Sequence, residues 1–103
     1  MRFTLEKPEE KRGERRSQIQ IYADIVRLII RRGGAAKPTH ILYGANLSHA
    51  RLIKHLTWLL EKGFIAEEHS AGQKVYIVTP KGHNFLKEFK KIEEMSEAFG
   101  IPI

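Results

Sequence analysis

Residues 43–54 read YGANLSHARLIK and join two stretches whose apolar residues recur with helical spacing. Asn46 readily adopts the left-handed conformation that ends a helix, and Leu47 can pack into a core. Ser48 is a good N-cap, because its hydroxyl oxygen can accept a hydrogen bond from a free backbone N–H of the next first turn. The stretch therefore predicts a helix, a tight turn and a second helix.

The helix that follows Ser48 begins with basic residues. A helix N-terminus carries partial positive charge and prefers Asp or Glu by about 0.3–1 kcal/mol per charge. Arg51 and Lys54 nevertheless occupy the opening turns. A bound phosphate would reverse the sign of this charge effect, so the placement favours contacts with nucleic acid.

The net charge of +6 comes from one interval of the chain. No acidic residue lies between Asp24 and Glu61, whereas the other basic residues balance the 12 acidic ones. A charge run is most often a solvated face, but an interval of one sign attracts polyanions such as nucleic acid or an anionic membrane surface. The basic residues of this interval are Arg27, Arg31, Arg32, Lys37, Arg51 and Lys54.

Composition excludes several classes of protein. With 103 residues, of which 42% are hydrophobic and 29% charged, the chain fits one soluble globular domain. It has no cysteine, which excludes a disulfide framework, a thiol nucleophile and thiolate metal sites. No apolar run is long enough to span a bilayer, and the N-terminus has no apolar signal region. We therefore expect a cytoplasmic protein with no membrane partner.

Three helices are predicted in the first part of the chain. Residues 1–16 form a charged tail or a helical lead-in, and the first helix runs from Ser17 to the Gly33–Gly34 pair. A second, short helix begins near Pro38. The third helix carries Arg51, Lys54, Trp58 and Glu61 opposite an apolar stripe of Leu52, Ile53, Leu56, Leu59 and Leu60. For Trp58, partial burial against the wing or the final helix is favoured over a role at a partner surface.

After Gly63 the spacing of the apolar residues changes from the helical period of about 3.6 residues to the strand period of about 2 residues. FIAEEHS and KVYIVT alternate as two short strands around a hairpin loop at residues 71–73, which together make a wing. Thr79 and Pro80 then suit the N-cap and first residue of a final helix that continues to Gly100. The expected fold class is α+β and mostly α: a winged helix-turn-helix domain over residues 17–84, with a C-terminal dimerisation helix over residues 80–100.

The final helix has an apolar seam that its own domain is too small to cover. Twenty helical residues extend about 30 Å, and we expect the domain to cover only Phe85 and Leu86. Pairing with a second copy would bury the remaining seam, and a gradient from basic to acidic residues along the helix favours an antiparallel homodimer. The residues predicted to make this contact are Phe89, Ile92, Met95 and Phe99.

Catalytic and metal-binding chemistry is not expected. The five histidines have no i, i+3 or i, i+4 pairing of the kind that holds metal ions. Ser48 and His49 are adjacent on a helix, where side chains point about 100° apart, so they do not form a nucleophile–base pair. Gly33–Gly34 follows a helix rather than a strand, which excludes a phosphate-binding loop. We expect neither an enzyme nor a bound cofactor.

The segments KPTHILYGANLSHARLIKHLTWLLEKGFI and YIVTPKGHNFLKEF resemble the winged helix-turn-helix proteins of archaea. They are most similar to the small chromatin-type group with a C-terminal dimerising helix, and YGANLS joined to LLEKG is the most specific part. The resemblance implies a protein that binds double-stranded DNA as a homodimer, either a transcription regulator or a nucleoid architectural protein. The positions that it places at DNA are Ser48, His49, Arg51, Lys54 and His55, with Gln73 and Lys74 at the wing. We also expect Lys37 and Thr39 to contact DNA.

Two other functions remain open at the level of sequence. A winged-helix module that binds protein instead of DNA would present an acidic or apolar face on the third helix, and Trp58 and Glu61 keep this alternative possible. A basic amphipathic helix on a membrane surface is the weaker alternative, because the first helix places its apolar residues too centrally.

Overall fold

The computed structural model describes residues 16–103, so the predicted tail lies almost wholly outside the described residues. None of the helices in this range is long and apolar enough to cross a membrane. The elements in chain order are α1 (Gln18–Arg31), β1 (Ala35–Ala36), α2 (Pro38–Gly44), α3 (His49–Glu61), β2 (Ile65–Ser70), β3 (Gln73–Val78) and α4 (Pro80–Phe99). This is the predicted mostly helical winged helix with a long C-terminal helix.

Helix α1 lies at the centre of the core. Ile25, Val26 and Ile29 are completely buried. Ser17 caps the helix: its side chain accepts a hydrogen bond from the Gln20 backbone N–H at 3.3 Å, and the Gln20 side chain accepts one from the Ser17 N–H at 2.9 Å. This reciprocal capping box satisfies two backbone donors that the helix leaves free.

The predicted turn between α2 and α3 is confirmed. Asn46 has a φ of 57°, Leu47 is 8% exposed, and the Leu47 N–H donates to the Leu42 carbonyl at 3.1 Å. The Ser48 hydroxyl accepts a hydrogen bond from the Arg51 N–H at 3.3 Å, so Ser48 is the N-cap of α3. Each of these features depends on the local chain, which is why the sequence was sufficient to predict them.

The wing is a hairpin of β2 and β3, joined by a two-residue turn at Ala71 and Gly72 with φ values of 54° and 79°. A third strand, β1, pairs with β3 on the other side and gives the sheet order β1-β3-β2. The two-stranded prediction was therefore incomplete. Strand β1 consists of two alanines, too few to show a period-2 pattern.

A close backbone contact anchors the start of α4. The Thr79 hydroxyl donates to the Gly63 carbonyl at 2.6 Å and accepts from the Gly82 N–H at 3.0 Å, while the Thr79 N–H donates to the Phe64 carbonyl at 3.1 Å. A Cβ at Gly82 would lie 2.0 Å from the Phe64 carbonyl oxygen. Only glycine therefore fits at this position.

Helix α4 is held to the domain further along its length than expected. Phe89 is 1% exposed, lies 5.7 Å from the Arg27 guanidinium, and is followed one turn later by Glu93, which forms an ion pair with Arg27. The expectation that the domain covers only Phe85 and Leu86 was therefore wrong. Helix α1 reaches this part of α4, which the apolar spacing of α4 alone does not reveal.

The distal half of α4 remains uncovered. Ile92, Met95 and Phe99 are 42%, 55% and 72% exposed. Gly100 then adopts the left-handed conformation, and the Ile101 N–H donates back to the Ser96 carbonyl at 3.0 Å. This reversal places the exposed Ile101 and Ile103 near the end of the same helix, in a shallow depression that includes Ile92 and Met95.

We predict that Gly82→Ala lowers the free energy of unfolding by about 3 kcal/mol, because the added methyl group would overlap backbone that cannot move independently. The higher helix propensity of alanine would by itself raise the free energy of unfolding by about 1 kcal/mol. Urea denaturation monitored by circular dichroism measures the change. Asn84→Ala, at an exposed position of the same helix, is the matched control and should alter stability little. Stability of Gly82→Ala equal to that of the wild type would contradict the close contact.

Candidate nucleic-acid interface

Helix α3 has an exposed face made by Ala50, Ile53, Lys54 and Thr57. Ile53 is 50% exposed, so its predicted place in the buried stripe was wrong. The buried side of the helix consists of Leu52, His55, Leu56 and Leu59. His55 is therefore buried in place of Ile53, which the sequence pattern had suggested, because the elements packed against α3 set the rotation of this helix.

His55 departs from the predicted set of DNA contacts because it points into the core. It is 2% exposed, and its ring packs edge-on against Tyr22 with centroids 5.4 Å apart. Neither ring nitrogen has a hydrogen-bond partner among the described residues. Burial lowers the pKa of His55 below its ordinary value, and the positive charges of Arg51, Lys54 and Arg16 lower it further.

Arg51 and Lys54 lie along one edge of the exposed face of α3. Lys54 is exposed and Arg51 half-buried. Within residues 16–103, neither side chain forms an ion pair with a carboxylate. The two charges are therefore available for an anionic ligand at the start of α3, where the helix dipole also favours negative charge.

Trp58 fixes the edge of α3 that carries these cations. Its ring stacks on Tyr22 of α1, with centroids 4.1 Å apart and planes 3° from parallel, and it is half-buried. The predicted partial burial is confirmed, but the main stacking partner belongs to α1 instead of the wing or the final helix. Stacking of two large rings restricts rotation of α3 against α1.

A groove of about 260 Å³ lies on the other side of the exposed face, between α2, α3 and β3. It brings together three residues that were predicted as contacts on separate elements: Thr39 from α2, His49 from α3 and Lys74 from β3. Its full lining is Pro38, Thr39, Leu42, His49, Leu52, Ile53, Leu56, Lys74 and Tyr76. The groove is thus mainly apolar, with polar groups at its edge.

The remaining predicted residues lie close to the groove in sequence. Lys37 is exposed at the N-cap of α2, and its backbone N–H donates to His40 Nδ1 at 3.3 Å. Gln73 is exposed at the first position of β3, next to Lys74. The Lys74 ammonium lies 3.9 Å from the Glu67 carboxylate, with both side chains well exposed, so this pair holds Lys74 only weakly.

Sequence reasoning missed several exposed apolar residues near the ends of elements. Tyr43, at the C-terminal end of α2, is 80% exposed, and Ile101 is 60% exposed beyond α4. On a helical wheel Ile53 lies at one edge of the predicted stripe and His55 about 40° beyond the other edge, so a modest rotation of α3 exchanges the two.

The family of the chain follows from its sequence as well as its architecture. The profile of the family described as Winged helix-turn-helix matches residues 15–97. The chain belongs to this family. None of the curated proteins compared with the sequence matches it.

Solved structures of the same architecture support this assignment. Sso10a-2, a DNA-binding protein from Sulfolobus solfataricus, superposes with a TM-score of 0.71 and 23% identity over 82% of this chain and 85% of that one. F93 from STIV, a winged-helix DNA-binding protein, gives 0.65 and 16% over 78% and 92% of the chains. TubR, bound to 24 bp of tubC from Bacillus thuringiensis serovar israelensis pBtoxis, gives 0.61 and 19% over 87% and 98%. These TM-scores establish a shared fold.

We predict that the winged helix-turn-helix domain loses stability as the pH falls from about 7.5 to about 5, because the unfolded chain takes up a proton at His55 more readily than the folded one. The lowered pKa sets the sign: stability is complete above the ordinary histidine pKa and falls below it. His55→Leu should unfold with a shallower dependence on pH, as measured by denaturant titration at each pH.

His83→Leu is the matched control for this prediction, because His83 is exposed on α4. It should retain the wild-type pH dependence. If His55→Leu and the wild type lost stability in parallel, the buried ring would not be the group that titrates.

Proposed function

We propose that this protein binds double-stranded DNA as a homodimer, through α3 and the wing, and acts as a transcription regulator or a nucleoid architectural protein. The observation that carries the proposal is the exposed face of α3. It has Arg51 and Lys54 on one edge, neither of them in an ion pair, and the groove with Lys74 on the other. A helix with cations on both sides matches a major groove, which is bordered by phosphates on both sides.

The relatives support a nucleic-acid ligand. Two of the superposed proteins are described as DNA-binding, and a third was solved on a 24 bp duplex. The domain of this chain has the same fold, and its basic residues lie on the helix that follows the turn. These two facts together favour DNA over a protein partner.

The proposed contacts would have separate tasks. Helix α3 would enter the major groove with its N-terminal half foremost, which places His49 near the bases or backbone. Lys37 and Thr39, at the start of α2, and Gln73 and Lys74, at the wing, would contact phosphates and set the orientation of the domain. Ser48 would act by fixing the start of α3, since its hydroxyl already caps this helix.

The homodimer would form through the distal half of α4. Ile92, Met95 and Phe99 are exposed at spacings of three and four, which places them on one side of the helix. Burying large apolar side chains contributes about 1.5–3 kcal/mol each, so a second copy would stabilise this surface. Phe89 takes no part, because it is buried within its own domain.

Charge favours an antiparallel arrangement of the two α4 helices. The basic residues come first and the acidic ones later, so each basic half would meet the acidic half of its partner. A two-fold dimer of this kind would present two copies of α3 to one duplex. The residues concerned are Lys87, Lys90, Lys91, Glu94 and Glu97, whereas Glu93 is paired with Arg27 of its own domain.

A winged-helix module that binds protein is the second candidate. The specific observation in its favour is the exposure of Ile53 and Tyr43, at 50% and 80%, since large exposed apolar residues are common at protein interfaces. Glu61, exposed at the last position of α3, is the only acidic residue of this helix, so the rest of α3 offers nothing for a basic protein partner. Direct binding to DNA distinguishes the two candidates.

We predict that Arg51→Ala and Lys54→Ala each weaken binding to duplex DNA. If each side chain contacts a phosphate, each variant should lower the magnitude of the slope of log affinity against log salt by about one. Fluorescence anisotropy with a labelled duplex at four salt concentrations measures both quantities. Lys81→Ala, which removes an exposed cation at the start of α4, should bind like the wild type. Unchanged affinity in the double variant Arg51→Ala, Lys54→Ala would remove α3 from the interface.

We predict that the chain is a dimer at tens of micromolar and that Ile92→Glu, Phe99→Glu is a monomer of 11.9 kDa. The two glutamates would place charge in the apolar contact between the α4 helices. Light scattering coupled to gel filtration measures the mass. His83→Glu adds an acid at an exposed position in the proximal half of α4, outside the proposed contact, and should remain dimeric. A wild-type monomer at this concentration would contradict the pairing.

A further inference from the structure

The middle of the exposed face of α3 is uncharged. Ala50, Ile53 and Thr57 are all exposed and follow one another at spacings of three and four, so they form a continuous strip along one side of the helix. Ile53 is the largest of the three, with half of its surface exposed to solvent. We call these three residues the apolar strip, since the alanine, the isoleucine and the threonine methyl group dominate its surface.

The cations lie beside the apolar strip and not within it. Lys54 and Arg51 project about 100° and 160° around the helix from Ile53. Lys74 approaches from the opposite side, because it and Ile53 line the same groove between α3 and β3. A duplex would therefore meet positive charge at its two backbones and methyl groups in between.

Ile53 is held in place by the groove that it lines. Leu52 and Leu56, its neighbours in the lining, are each 3% exposed and belong to the core. The isoleucine side chain is itself branched at Cβ, which restricts its χ1 rotation on a helix. The apolar strip thus has a defined shape, as a surface that discriminates between ligands requires.

We propose that the apolar strip reads thymine methyl groups in the major groove, with Ile53 as the specificity-determining residue, so that the protein prefers duplexes with thymine beneath α3. This inference rests on the proposed DNA binding and adds the base class that α3 recognises. Thymine is the one base of unmodified DNA that presents a methyl group in the major groove. Guanine is read mainly by Arg or Lys at the centre of a recognition helix, and here that position is apolar.

Electrostatic contacts cannot supply this preference by themselves. Phosphates are the same for every base pair, so Arg51, Lys54 and Lys74 would strengthen binding to all duplexes alike. The free energy gained by burying Ile53 against a methyl group depends on the base, since cytosine has no such methyl group and presents an amino group instead. The ratio of the affinities for two duplexes should therefore depend on their thymine methyl groups and not on the salt concentration.

Deoxyuridine provides a direct test, because it keeps every hydrogen-bonding group of thymine and lacks only the methyl group. Two duplexes of one A·T-rich sequence, one with thymidine and one with deoxyuridine throughout, are titrated with the intact chain at fixed salt. We expect the wild type to bind the thymidine duplex more tightly, by about four-fold for each methyl group that it buries. The salt slope should be the same for both duplexes, since their phosphates are identical.

The variant that tests the residue is Ile53→Ala, which should bind both duplexes with equal affinity. Ile53→Val, which keeps the branched Cβ, should retain part of the difference. Lys74→Gln is the matched control: it should weaken binding to both duplexes by the same factor and leave their ratio unchanged. Because Ile53 is half exposed, Ile53→Ala should unfold at nearly the wild-type denaturant concentration, which denaturation checks.

Each outcome decides a different question. Equal binding of the wild type to the two duplexes would overturn the reading of methyl groups while leaving DNA binding intact. A thymidine preference that persists in Ile53→Ala would overturn the role of Ile53. Failure to bind either duplex at low salt would overturn the proposed function itself, and with it this inference.

Discussion

The contact between Thr79 and the Gly63–Phe64 corner holds the domain together as one unit. Gly63 and Phe64 lie where α3 ends and β2 begins, and Thr79 lies where β3 ends and α4 begins. Two hydrogen bonds, of 2.6 and 3.1 Å, join these points, and the absence of a side chain at Gly82 lets the backbones approach closely enough to form them. Helix α3, the wing and the long helix are therefore fixed relative to one another. Any partner of one meets the others in a set orientation.

The same constraint connects the two proposed interfaces. Helix α4 leaves the corner in a fixed direction and is then held by Phe89 and by the ion pair of Arg27 with Glu93, so only its distal half is free to pair. In the proposed homodimer, the distance between the two α3 helices would follow from this direction and from the pairing of α4. Substitutions at the corner should consequently affect DNA binding through geometry as well as through stability.

Both sides of helix α3 have features that lower the stability of the folded chain. On the inner side, His55 is buried without a hydrogen-bond partner, and its neutral form is favoured by burial and by nearby cations. On the outer side, basic residues occupy the end of the helix where the dipole prefers acids, and Ile53 is half exposed. A bound duplex would compensate the outer features, because phosphates would neutralise the cations and a base edge would cover the isoleucine.

The sequence by itself determined the features that depend on neighbouring residues. The caps at Ser48 and Thr79, the left-handed Asn46 and the hairpin of the wing were all predictable, because each is decided within a few residues of chain. Only the tertiary structure decided which way each helix faces. Ile53 and His55 exchanged their expected roles, and Phe89 turned inward, because neighbouring helices set the rotation of α3 and the reach of the domain along α4. Periodicity gives the width of an apolar face, but packing partners decide which edge of it is covered.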